Sequence, residues 1–146
     1  MQYRIWTSDR RARHGLQDEP SPCYFYLQDQ DDTDHILSSC TYAKEVWCTL
    51  WDTFHINIGD QAVGESTFLW WMRVRVSFQK ADKRGFDTLF IGTIWTLWKQ
   101  RNARVFNRVD QQLRPREAAR WILDELAEWK LAAGGVGGLQ CFVRIA

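Results

Sequence analysis

Cys23, His35 and Cys40 lie within one short stretch, and all three are residue types that zinc binds well as thiolate or neutral imidazole. Structural zinc sites close with four ligands in a tetrahedron, and these residues supply three. A Cys-x2-Cys opening would complete the set, but Tyr26 occupies the position of its second cysteine. Asp29 or Asp32, a water, or the Tyr26 phenol could fill the fourth corner. The phenol is the weakest of these, because its ordinary pKa near 10 makes deprotonation costly. Zn2+ is the cofactor this stretch predicts, with Cys23, His35 and Cys40 as metal ligands and Tyr26 at the lost fourth position.

Other chemistry is poorly represented. Asp29, Asp31, Asp32 and Asp34 are paired carboxylates of the sort that hold two metal ions, but they share one loop instead of facing each other across strand ends. A solvated acidic loop is the expected reading. Of the three histidines, His14 and His55 fall at expected helix ends, where a cation complements the dipole. The glycines at 134–138 follow a helix and precede no Gly-Lys-Ser/Thr, so no phosphate loop is encoded. No catalytic constellation emerges, and the expectation is a protein that is not an enzyme.

The chain has 146 residues, enough to bury a core without help from metal or disulfides. Its net charge of +1 conceals an asymmetry. Residues 1–65 carry five Lys/Arg against eleven Asp/Glu, whereas residues 66–120 carry twelve against four. Arg73, Arg75, Lys99, Arg101 and Arg104, with Lys80, Lys83, Arg84 and Arg108, form a basic band interleaved with aromatics that could contact RNA or DNA. The opposed charges could equally dock the two parts of the chain on each other. The amino terminus shows no apolar signal core, and no run of about eighteen apolar residues occurs. An intracellular setting, nuclear or cytoplasmic, with reduced thiols and no membrane partner is therefore expected, and a Cys/His cluster there reads as metal before disulfide.

Helices must position these groups. Thr7-Ser8-Asp9 can cap a short helix through Arg13, flanked by Trp6 and Leu16 as core residues. Tyr42, Val46, Trp47, Leu50, Trp51 and Phe54 recur at steps of three and four, which predicts an amphipathic helix over 42–55 with Cys48 and His55 off its inner stripe. Asn57 and Gly59 are expected to end it. Ser66 can cap a helix to about Phe78, although Val74, Val76 and Phe78 alternate as a strand would. Lys80 to Gly85 reads as a charged turn. A long helix over 86–106 carries Phe86, Leu89, Phe90, Thr93 and Leu97 inward. A last helix starts near Pro115, with Ala118, Ala119, Ile122, Leu126 and Trp129 as its inner face. Gly134 to Gly138 stop it, and Leu139 to Ile145 could form a short strand.

Three segments carry a resemblance. Arg4-Ile-Trp6 through His14-Gly15-Leu16, then Cys23-x2-Tyr26-x8-His35-Ile-Leu-x2-Cys40 with Lys44-Glu-Val-Trp47, then Gly85-Phe86-Asp87 through Trp95-Thr-Leu-Trp98-Lys99-x-Arg101-Asn102-Ala-Arg104-Val-Phe106. Together they resemble the zinc-binding domain that follows the reverse transcriptase in plant non-LTR (LINE-type) retroelements. The likeness implies ligand roles for Cys23, His35 and Cys40, and a degenerate site at Tyr26. It also implies a carboxy-terminal retroelement fragment whose polymerase and endonuclease lie elsewhere, with RNA or DNA as partner.

The expected fold is mainly α, with an irregular N-terminal zinc-knuckle-like segment packed on about four helices. Three parts are expected: a knuckle-like module with its helix over 1–58, a helical extension over 66–132, and a Gly-rich joint and tail over 133–146. The competing expectation is a metal-free helical structural or protein-interaction domain, or a non-functional remnant of a retroelement.

Overall fold

The structure, a computed structural model, describes residues 7, 13–15, 22–27, 29–59 and 61–132. Among them are four α-helices: α1 (Thr41–Thr53), α2 (Thr67–Val76), α3 (Lys80–Val105) and α4 (Pro115–Ala132). A π-turn at His35–Ser39 precedes α1, and a 3-10 turn at Val109–Gln111 precedes α4. The described residues hold no strand, only an isolated antiparallel bridge between Pro22 and Gln30. The fold is mainly helical with an irregular N-terminal region, as the periodicities predict. Apart from Arg13, the expected helix over residues 9–13 lies outside the described residues, as do Trp6, Leu16 and the expected strand over 139–145.

The inner stripe of α1 is the one its spacing predicts, with Tyr42, Val46, Trp47, Leu50, Trp51 and Phe54 all buried. It packs on α4, which packs in turn on α3, while α2 covers another face of α3. Between them is a cluster of rings. Trp47 stacks on Trp51 and Phe90 at 5.2 and 4.9 Å and meets Trp70 edge-on at 5.2 Å. Phe86 extends the cluster to Phe78 at 4.7 Å. Offset-stacked and edge-on ring pairs contribute about 0.5–1.5 kcal/mol beyond their buried area. The Tyr42 hydroxyl donates to the Leu113 carbonyl at 2.8 Å, tying α1 to the segment that enters α4.

Helix boundaries follow capping chemistry. Ser66 caps α2, its hydroxyl accepting from the Leu69 amide at 3.2 Å. Glu117 accepts from the Arg114 amide at 2.8 Å just ahead of Pro115, a carboxylate reaching back at a helix start. The strand alternative at 74–78 is not taken, because α2 stays helical through Val76. Lys80 to Gly85 is not a turn either. It forms the first turns of α3, where Gln79 is the extended cap and Asp82 complements the positive end. Its charges are the exposed entry of a helix built from good helix formers.

Two helices end in left-handed residues that are not glycine. After α1, His55 takes φ 52°, its amide donates to the Asp52 carbonyl and the Ile56 amide to Trp51. After α3, Asn107 takes φ 50°, with Asn107 bonded to Arg104 and Arg108 to Ala103. Both are Schellman ends. The first stops α1 before Asn57 and Gly59. Trp129, expected on the inner face of α4, is instead exposed.

Candidate metal centre

Cys23 and Cys40 are brought together by two tight backbone features. Residues 22–30 close a loop: Pro22 bridges to Gln30, the Cys23 amide donates to the Asp29 carbonyl, and the Leu27 amide to the Cys23 carbonyl at 2.8 Å. Leu27 completes the turn at φ 57°. Beyond it, the π-turn closes when the Cys40 amide donates to the His35 carbonyl at 2.7 Å. A hydrogen bond five residues back widens the turn, and such turns recur at functional sites. Here it closes His35 onto Cys40, five residues on. Cys40 then serves as the N-cap residue of α1.

The two sulfurs lie 3.7 Å apart, and one ligand atom from each of Cys23, His35 and Cys40 falls within 4.8 Å of the others. A tetrahedral zinc with Zn–S of about 2.3 Å sets its sulfurs about 3.8 Å apart, so the sulfur pair already has that edge length. All three residues are buried. His35 Nδ1 stands 3.8 Å from Asp29 Oδ2, while its Nε2 is buried with no hydrogen-bond partner. A buried imidazole nitrogen without a partner costs free energy unless something binds it. A metal on Nε2, with a carboxylate facing Nδ1, is the arrangement that orients histidine ligands. The residues present therefore fit the metal.

Electrostatics agree. The Cys40 hydrogen bond, opposed by burial and helped by His35, pulls the Cys23 thiol down to about 4. Cys40 moves up, first because it shares that hydrogen bond and then by burial, while the Tyr42 and Ala43 backbone amides at the start of α1 pull the other way. The pair thus favours one negative charge, which burial alone would suppress. His35 is raised, chiefly by the Cys23 side chain. Tyr26 is 42% exposed and its phenol is raised, first by burial and then by Glu45 and Cys40, so it stays protonated. Among the described residues, no aspartate joins the three-residue group.

The acidic loop is only in part the solvated run expected of it: Asp29 and Asp34 are exposed, whereas Asp31 is buried. Asp32 Oδ1 accepts from the His35 amide at 2.8 Å, and Asp34 Oδ1 accepts from the Thr67 amide at 2.8 Å, at the start of α2. Asp31 is 0% exposed and pairs through both oxygens with Arg101, itself 2% exposed. The Arg101 guanidinium also lies over Tyr24 at 5.2 Å and Trp98 at 5.1 Å. One turn on, the Arg104 guanidinium lies beside the stacked Phe25–Tyr42 pair, 4.8 Å from each ring centre, and donates to the Gln100 and Leu113 carbonyls. The two arginines clamp the cysteine loop onto α3. Nothing in the local sequence pattern signals this, because Asp31 and Arg101 are 70 residues apart.

The structure does not bring the five expected nucleic-acid residues together. Arg101 is buried and presents no face to a phosphate, and Arg104 is half-buried under the loop. Arg73 forms a forked pair with Glu65 at 2.9 and 3.0 Å. Arg75 pairs with Asp87 at 2.9 Å and lies over Trp71. Lys99 stands on the outer side of α3 above the Trp121 ring.

Residues 1–47 match the family described as zinc-binding in reverse transcriptase. The match spans less than half of the chain. It contains Cys23, Tyr26, His35 and Cys40 and ends within α1. No curated protein and no solved structure matches the chain. Among the described residues, no helix is long and apolar enough to cross a membrane.

Proposed function

We propose that this protein is a non-catalytic zinc-binding domain derived from a retroelement reverse transcriptase protein, and that it contacts RNA or DNA. The observation that carries the metal reading is the convergence of two sulfurs at tetrahedral spacing beside an unpartnered imidazole nitrogen. Cys23, His35 and Cys40 hold the ion, Asp29 orients His35, and the Asp31–Arg101 pair holds the loop in place. The match of residues 1–47 supports the same assignment and concerns the zinc-binding part of such proteins, not the catalytic one. When bound, zinc supplies a structural cross-link between the loop and α1.

Protein purified without chelator is expected to carry about one equivalent of zinc, lost on Cys23→Ser or Cys40→Ser. Less than about one-tenth equivalent, unchanged by Tyr26→Cys, overturns the metal reading and leaves a metal-free interaction domain.

The nucleic-acid half rests on the positive excess of residues 66–120 and on the exposed cations Arg84, Arg108, Arg116 and Arg120. Binding to single-stranded RNA should fall steeply with salt as counterions are released. A flat salt profile, or no binding at low salt, removes this half.

A further inference from the structure

We propose that a cavity beside α1 binds a nucleobase, free as a nucleotide or unpaired in a strand; the second case rests on the nucleic-acid reading above. Among the described residues, three buried side-chain polar atoms have no hydrogen-bond partner: His35 Nε2, Trp70 Nε1 and Gln61 Oε1. The first belongs to the metal centre. The other two are on residues that line one and the same cavity of about 450 Å³, between α1, the segment that follows it and the first turn of α2. Small-molecule sites fall at about 300–1,000 Å³. Unmatched indole nitrogens are not the habit of this core, since Trp47, on the same cavity, donates to the Leu37 carbonyl at 2.9 Å.

The two atoms select the occupant. Trp70 is 4% exposed, and its indole N–H only donates, so its match is an acceptor. The Gln61 amide nitrogen already donates to the Glu65 carbonyl, which leaves Oε1 as an acceptor whose match is a donor. A buried donor or acceptor without its match costs free energy that a matching ligand recovers. Trp47, Trp51, Ile56 and Ile58 supply apolar and aromatic walls that suit a flat ring. A flat ring whose edge carries both a carbonyl and an N–H is the edge of uracil or guanine, and bases held on aromatic side chains are read at that edge. An aliphatic ligand matches neither atom. Lys44, exposed and on the same cavity, is a cation for the attached phosphate. Asp52, the carboxylate of the lining, stands two turns further along α1 and keeps that phosphate toward Lys44.

The test is an NMR titration of the indole N–H signals of the full chain with uridine 5′-monophosphate, up to about 10 mM, which reaches the weak end of ligand affinity. Trp70→Phe keeps a ring and assigns the Trp70 signal by its loss. That signal should move to saturation in the wild type. By calorimetry, Trp70→Phe and Gln61→Leu should each weaken binding about fivefold, the effect of one hydrogen bond. Ile58→Trp fills the cavity from its half-buried wall and should abolish binding; where it does not fold, Ile56→Phe serves instead. A Trp70 signal that stays still throughout overturns the proposal, and so does binding unchanged in the filled variant. An oligouridylate of about ten nucleotides that moves the same signal assigns the site to bases in a strand, whereas movement by the mononucleotide alone assigns it to a free nucleotide. Salt-sensitive RNA binding with the Trp70 signal unmoved overturns this inference and leaves the broader nucleic-acid reading standing.

Discussion

In the helical body, buried side chains meet ring to ring: Trp47 on Trp51 and Phe90, Phe86 on Phe78. In residues 22–40 the buried contacts are of another kind. Asp31 meets Arg101, two sulfurs meet an imidazole, and aspartates accept from backbone amides. Apolar burial is non-directional and tolerates small shifts, whereas ion pairs and metal ligands require particular partners at particular distances. The body can hold its shape by area alone. The loop depends on each partner being present, so it is the part whose integrity responds to solution conditions.

Substitutions separate the two regimes. The largest effects come from one deletion in each. Phe86→Ala should cost about 3–5 kcal/mol, since the ring is fully buried among other rings. Arg101→Ala should cost about the same by removing the cation that faces the buried Asp31 carboxylate. The readouts differ: chemical denaturation registers both, but only Arg101→Ala should also weaken zinc binding measured with a chromogenic chelator. Equal zinc affinity in the two variants would erase the contrast between the regions.

Next in size, Asp29→Asn should lower metal affinity about 10–100-fold by loosening the His35 ring, with little change in the stability of the metal-free form. Ser66→Ala should cost about 1 kcal/mol by removing the cap of α2. The smallest effect has the opposite sign. His55→Gly should stabilise by about 0.5–1 kcal/mol, because glycine reaches φ 52° without the penalty a side chain incurs. Thermal melts resolve both.

The two regions were also unequally legible. The helical stripes follow from periodicity because burying one face of a helix is a local rule, and α1 and α4 begin about where Thr41 and Pro115 predict. Lys80 to Gly85 misled because charge density was read as a turn when it marks the solvated start of a helix. That Cys23, His35 and Cys40 would come together was legible from residue type and spacing. The role of Asp31 was not, since a carboxylate in an acidic run reads as solvated unless its distant partner is known. Arg101 misled for the same reason, reading as basic surface when it is a buried anchor. Trp129 shows that helical phase sets a direction, whereas exposure depends on what the neighbouring helix covers.

The separation of Asp31 from Arg101 also sets an order of assembly. During synthesis the cysteines, His35 and Asp31 leave the ribosome well before Arg101, which follows Asp31 by 70 residues. Chains emerge at about 5–20 residues per second, so the nascent loop spends several seconds before Arg101 becomes available to Asp31. The Cys23, His35 and Cys40 cluster draws only on residues 23–40 and can form before that docking. The long sequence separation makes the clamp a late event in folding, and α3 then closes over a loop that has already been shaped.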